Sequence, residues 1–225
     1  MKSNQPNVLF ILTSAARIGP NERPTGYEFS EVAHPHLAFV ANGYNVEFAS
    51  LDGGRPPEDG YDSSDRASEI FRNSAAFEQL GQSQSLADTE LENYDAIFFP
   101  GGLGPMVDML HEPLVKRAIA STYESGRVVG AVCHGPVALM NVTMSDGSSF
   151  LGGKQVAAFT EAEEQGHSEL DVPFMLDAAL VDQGALHTHA DPFQEHVVVH
   201  DRLVTGQNPA SAAGVARAMM SVMAR

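Results

Sequence analysis

One cysteine stands in 225 residues, 13 basic side chains face 29 acidic ones, and no apolar run is long. Each shortage excludes something. A lone cysteine, Cys133, makes no internal disulfide, which fits a reducing compartment and an expected cytoplasmic location. The formal net charge of −16 repels phosphate backbones and anionic membranes, so neither nucleic acid nor a membrane is an expected partner. No stretch approaches the ~18 apolar residues of a membrane span. The opening MKSNQPNVLFILTSAA carries one lysine and only the short run VLFIL, so it reads as a first buried strand and not as a signal peptide. A glycine-rich nucleotide-binding pattern, a P-loop and low-complexity tracts are missing. No compact His/Glu set has metal-ligand spacing. His187 and His189 in HTH are weak chelators alone and read better as a polar edge.

What is present is 43% hydrophobic, enough for one large core, and the simplest organisation is a single α/β domain over residues 1–225. Four apolar runs read as strands, NVLFILTS (7–14), YDAIFFPGG (94–102), RVVGAV (127–132) and KQVAAFT (154–160), and YNVEFASL (44–51) alternates and reads as a fifth. HVVVHDRLVTG (196–206) reads as a strand pair turning at His200 and Asp201. Helical spacing marks FSEVAHPHLAFVANG (29–43), the stretch 106–125, VPFMLDAALVDQGA (172–185) and ASAAGVARAMMSVMA (210–224). Pro35 inside the first predicts a kink or a late start. Residues 63–93 are polar and weakly helical, a flap or surface helices. Strands alternating with helices imply a mostly parallel sheet covered on both faces, a three-layer sandwich.

In such sheets ligands bind beyond the carboxyl ends of the strands. RVVGAV runs straight into Cys133, within GAVCHGPVAL (130–139). An apolar strand, a nucleophile candidate and a glycine two residues on have the layout of a nucleophile elbow, and Ala131 and Gly135 supply the small neighbours it needs. The thiol is then expected at the start of a helix, whose N–H groups favour the thiolate. The alternative is a buried cysteine acting as a small hydrophobe. His134, directly after it, is either a polar surface residue or a group that orients a proton or holds a carboxylate.

TGYEFSEVAHP (25–35), YDAIFFPGGLG (94–104), GAVCHGPVAL and RLVTGQNPASA (202–212) together resemble the ThiJ/PfpI superfamily, and within it the heat-shock chaperone and glyoxalase III branch. GGKQVAAFTEAEE (152–164) is a weaker fifth match, and the blocks follow the family order across nearly the whole chain. The resemblance implies the flavodoxin-like, class I glutamine amidotransferase-like sandwich and a homodimer. It implies a glutathione-independent glyoxalase, converting methylglyoxal or a related α-oxoaldehyde to a 2-hydroxy acid through a hemithioacetal on Cys133. No cofactor and no metal are expected. It implies that Glu31, on the first helix, shares a proton with the cysteine, with Glu28 the local competitor. It implies a Cys133, His134 and acid set, the acid being Glu164 with Glu163 second. Gly102 and the turn at Cys133 and His134 are implied as oxyanion donors. Cysteine hydrolysis of the amidase, peptidase or deglycase type, a holding chaperone and a redox sensor remain open alternatives, because fold does not choose among them.

The chain also departs from the branch. Members commonly carry histidine after the glycine pair, where this sequence has Leu103, Gly104 and Pro105, a more apolar rim. The segment 61–89 is short for the cap and metal site of the largest members. Asn208 and Pro209 signal a turn, Ser211 is placed to cap the last helix, and TGQNPAS as a whole is expected to shape the site without reacting.

Overall fold

A computed structural model describes residues 5–225. Seven strands form one sheet: β1 (Asn7–Leu12), β2 (Asn45–Ser50), β3 (Gln84–Ser85), β4 (Ala96–Phe99), β5 (Val128–Val132), β6 (Val197–His200) and β7 (Leu203–Gly206). Their order is β6-β7-β5-β4-β1-β2-β3. Every pair is parallel except the β6–β7 hairpin, which turns at Asp201 and Arg202. Among the described residues eight helices accompany the sheet: α1 (Ser30–Ala41), α2 (Arg66–Arg72), α3 (Ala75–Leu80), α4 (Pro105–Asp108), α5 (Pro113–Glu124), α6 (Glu161–Glu164), α7 (Leu176–Asp182) and α8 (Ala212–Met223).

The central strands β1, β4, β5 and β7 are mostly apolar and buried because both faces are covered. Successive side chains point to opposite faces. Val8, Phe10, Leu12, Phe98 and Val204 meet Val32 and Phe39 of α1 and Val215 and Met219 of α8. Leu9, Ile11, Ile97, Phe99 and Val129 meet Val115 and Ile119 of α5 on the other side. Among the described residues no helix is long and apolar enough to cross a membrane.

Several local expectations change. Of KQVAAFT, only Gln155–Val156 is extended, and it pairs with Leu186–His187 outside the main sheet. Beyond it the backbone bonds elsewhere: Ala157 N–H donates to Thr205 Oγ1 at 2.8 Å and Phe159 N–H to the Cys133 carbonyl at 2.9 Å. The stretch 106–125 is not one helix; it breaks after Asp108, and Pro113, which needs no N–H partner in a first turn, starts α5. Residues 63–93 supply α2, α3 and the edge strand β3. Ser211 precedes α8 but does not cap it; its hydroxyl donates to Asn208 Oδ1 and accepts from His196 N–H, each at 3.0 Å. Helix α1 starts at Ser30 and continues through Pro35, whose missing N–H leaves the Glu31 carbonyl without its helical donor.

The same helix buries His36 between Phe48 and Phe71, with ring centroids 5.9 and 4.9 Å away and Nδ1 unpartnered. Burial pushes His36 down to about 4 from an ordinary 6.5. An unfolded chain therefore takes up this proton before the folded one does. The stability His36 confers is in place above about pH 6.5 and is lost as the pH falls toward 4. The expected loss is about 3 kcal/mol at most. Urea midpoints at neutral and mildly acid pH check this: His36→Leu should flatten the acid slope, and an unchanged slope would refute the assignment.

Candidate active site

Strands β4 and β5 end side by side, and their carboxyl ends build the site. After β5 the chain turns at Cys133, whose φ of 60° lies in the left-handed region that non-glycine residues avoid. Two bonds hold the turn: Cys133 N–H donates to Gly206 O at 3.0 Å, and Cys133 O accepts from Phe159 N–H. The chain then enters a single short 3-10 segment, Gly135–Leu139, and not the α-helix expected from sequence. So short an element supplies little dipole, and direct contacts must govern the sulfur.

The first such contact comes from α1. Glu31 is fully buried, and its Oε2 accepts from Gly101 N–H at 2.6 Å. Its carboxyl lies beside the Cys133 side chain, and Oε1 has no hydrogen-bond partner. Gly101 makes this approach possible. A Cβ there would stand 2.8 Å from both Cys133 Cβ and Glu31 Oε2, and 2.7 Å from His134 N. Burial raises the Glu31 carboxyl well above the usual carboxylate range, and Glu28 adds to the rise. Burial raises the thiol as well, and the nearby Glu31 charge raises it further. Two buried like charges in contact are excluded, so the pair holds at most one negative charge. The Gly102 backbone N–H works the other way and eases ionisation of the thiol.

The second contact is His134. Its Nδ1 lies 3.3 Å from Cys133 Sγ, and its Nε2 lies 2.6 Å from Glu164 Oε1. Glu164 Oε2 accepts from the Ser168 hydroxyl. Burial raises Glu164, but the bonds from His134 and Ser168 and the nearby histidine charge outweigh it and hold the carboxyl below its ordinary range. With Nε2–H donated to Glu164, Nδ1 presents itself to the sulfur. The Phe159 ring packs 4.6 Å from the imidazole and fixes its plane.

The structure thus brings Cys133, Glu31, His134, Glu164 and Gly102 together. Glu163 turns away and accepts from Thr160, Phe193 and Asn208. Glu28 lines the cavity and accepts from Ser30 Oγ at 3.1 Å, with its carboxyl raised by burial. Of the two amides at the turn, that of Cys133 is committed to Gly206, which leaves the His134 N–H, next to Gly101. A cavity of about 240 Å³ opens at the sulfur; its wall includes the polar Arg23, Glu28, Asp59 and His167 and the apolar Leu103, Phe159, Phe193 and Pro209. A larger groove of about 580 Å³ lies near Pro6, Arg127 and Arg225 and holds no nucleophile. Among the described residues no group of three or more His, Cys, Asp or Glu side chains could hold a metal; the His187 and His189 rings stack 6.0 Å apart. Sequence reasoning did not find Phe159, Phe193 or Pro209 as cavity residues. The one signal was TGQNPAS, which includes Pro209 and was expected to shape the site.

Fold and site define an α/β protein with its only thiol on a strained strand-end turn, coupled to a buried carboxyl. Residues 24–222 match the model of the DJ-1/PfpI family, and the chain belongs to that family. It is 28% identical over 221 residues to the glutathione-independent glyoxalase hsp3102 of Schizosaccharomyces pombe, covering 91% of each chain. The X-ray structure of the Francisella tularensis Rapid Encystment Protein 24 kDa matches with a TM-score of 0.93 and 31% identity, covering 97% of this chain and 99% of that one. The crystal structure of glyoxalase III from Candida albicans matches with a TM-score of 0.86 and 26% identity, covering 96% and 97%.

Gly102 offers a test of the sulfur's surroundings. Its φ is 85°, and a Cβ would sit 2.5 Å from both Glu28 N and Gly26 O, backbone atoms that cannot swing aside. Gly43 has a similar φ of 81° but nothing within 4 Å. Gly43→Ala should cost about 1 kcal/mol in thermal unfolding, the conformational penalty alone. Gly102→Ala should cost more, because backbone must move to admit the methyl group, and should change the rate of iodoacetamide alkylation of Cys133, which lines the same cavity. Equal thermal losses with equal alkylation rates would contradict this role for Gly102.

Proposed function

We propose that this chain is a cofactor-independent glyoxalase that converts an α-oxoaldehyde to a 2-hydroxy acid. The contact between Cys133 and Glu31 carries the reading: a nucleophile and a proton carrier share one charge in a dry site. The Cys133 sulfur adds to the aldehyde carbon, and the new oxyanion meets Gly102 N–H and His134 N–H. The proton of Glu31, on the otherwise unpartnered Oε1, goes to that oxygen. The Glu31 carboxylate then removes the hydrogen on the former aldehyde carbon as a proton and returns it to the neighbouring carbon, while the hydroxyl proton on the former aldehyde oxygen passes to the neighbouring carbonyl oxygen, which becomes the 2-hydroxyl. One carbon is oxidised and the other reduced within the same molecule, so no external electron acceptor is needed. The product is a thioester on Cys133. Water attacks it, releases the 2-hydroxy acid and restores the thiol. The identity and coverage of the glyoxalase relatives support this reading. A free thiol is needed throughout, which suits a reducing cytoplasm.

The His134–Glu164 bond favours a second reading, acyl hydrolysis by a Cys133–His134–Glu164 line. Kinetics on methylglyoxal and on a simple thioester separate the two. Cys133→Ala should abolish both activities. Under the glyoxalase reading Glu31→Gln loses about 10²–10⁴-fold on methylglyoxal, and Glu164→Gln loses less. Under the hydrolase reading the order reverses. Wild-type protein inert toward every α-oxoaldehyde would end the first reading.

A further inference from the structure

The glyoxalase chemistry uses neither Glu163 nor Phe193, yet the two are tied together. Phe193 has a φ of 60° and is 55% exposed. An exposed phenylalanine in the left-handed region persists only where its surroundings hold it. Its N–H donates to Glu163 Oε1 at 2.8 Å. The same oxygen accepts from Asn208 Nδ2 at 2.8 Å, one residue before Pro209. Asn208 Nδ2 also donates to Gln194 O at 2.7 Å, which joins the two loops directly. Glu163 Oε2 accepts from Thr160 N–H at 3.0 Å and from the Thr160 hydroxyl at 2.8 Å. One fully buried carboxyl therefore anchors two loops to the start of α6, and each loop places one residue, Phe193 or Pro209, on the cavity wall.

That wall is continuous with the chemistry. Phe193 stands edge-on to Phe159 at 6.1 Å, and Phe159 lies on His134 at 4.6 Å. Leu103 adds a third apolar side chain to the cavity. About 240 Å³ is room for roughly eight waters at liquid density, far more than a three-carbon oxoaldehyde fills. A substrate carrying only a methyl group would leave Phe193 facing water. A planar apolar substituent would bury against it.

We propose that Glu163 is a positioning residue that holds Phe193 and Pro209 as an apolar wall, and that the cavity prefers α-oxoaldehydes bearing a ring-sized apolar substituent. This rests on the glyoxalase reading for turnover but not for binding. The wild type should favour phenylglyoxal over methylglyoxal in kcat/KM by about tenfold or more. Phe193→Ala should bring that ratio to near one, mainly through KM. Glu163→Gln should lower the same ratio, because an amide nitrogen would face donors at either the Thr160 pair or the Phe193 and Asn208 pair. The double variant should show a ratio no lower than Phe193→Ala alone, since both changes remove the same wall. Phe193→Ala removes an exposed side chain and keeps the test open even if Glu163→Gln folds poorly.

A binding measurement is independent of turnover. Acetophenone, titrated into Cys133→Ala protein, should bind about tenfold more weakly once Phe193→Ala is added. No phenylglyoxal preference and equal acetophenone binding would overturn the proposal while leaving methylglyoxal turnover standing. Phe193-dependent binding without turnover of any oxoaldehyde would uphold the wall and sink the glyoxalase reading instead. Additive losses in the double variant would remove Glu163 from the positioning role.

Discussion

A carboxyl group and a thiol pressed together without water cannot both be charged, and the site is built around that constraint. Glu31 is buried completely, its Oε2 satisfied by Gly101 N–H and its Oε1 left without a hydrogen-bond partner. An unpartnered buried carboxylate oxygen is costly; a protonated one facing a thiolate is not. The fold enforces the arrangement by bringing α1, the end of β4 and the end of β5 to one point. Gly101 sets the distance, because any side chain there would collide with all three neighbours at once. The acid, the nucleophile and the glycine are therefore one device.

Much of this was legible in sequence because burial on both faces leaves a plain mark. The runs that became β1, β4 and β5 are apolar at every position or nearly so, as a covered parallel strand reads. The elbow was legible for a different reason: a strand running into Cys133 with small Ala131 and Gly135 beside it fits few other backbones. Where the reading failed, an apolar run had another use. Ala157, Ala158 and Phe159 are buried like strand residues, but their backbone bonds go to Thr205 and to the Cys133 carbonyl. Burial was visible in the letters; the partner of each N–H was not. Likewise the long helix expected over 106–125 hid a break, because Met106, Leu110, Leu114 and Ala118 keep a four-residue spacing across it.

The acidic stretch EAEE shows the limit more sharply. Glu163 and Glu164 are neighbours on a helix of one turn, so their side chains leave about 100° apart. Both are buried, and both accept only from donors in reach. Nothing in their local sequence says which one meets His134. The answer lies 30 residues upstream for Glu164, at His134, and 30 residues downstream for Glu163, at Phe193. Only the assembled fold separates an acid that orients the imidazole from an acid that ties down a loop.

Two strained residues line the cavity, Cys133 and Phe193, each with φ of 60°. Neither is held by its own turn. Cys133 N–H is bound by Gly206 O, and Phe193 N–H by the carboxyl that also binds Asn208. Residues 206–208 thus secure the nucleophile and the wall together, one directly and one through Glu163. A stretch without a reactive side chain can matter to a reaction in this way. TGQNPAS contributes carbonyls and an amide at fixed positions, and those positions determine how far the sulfur stands from the surface a substrate must rest on. Strain at both residues persists because the same short segment opposes it twice.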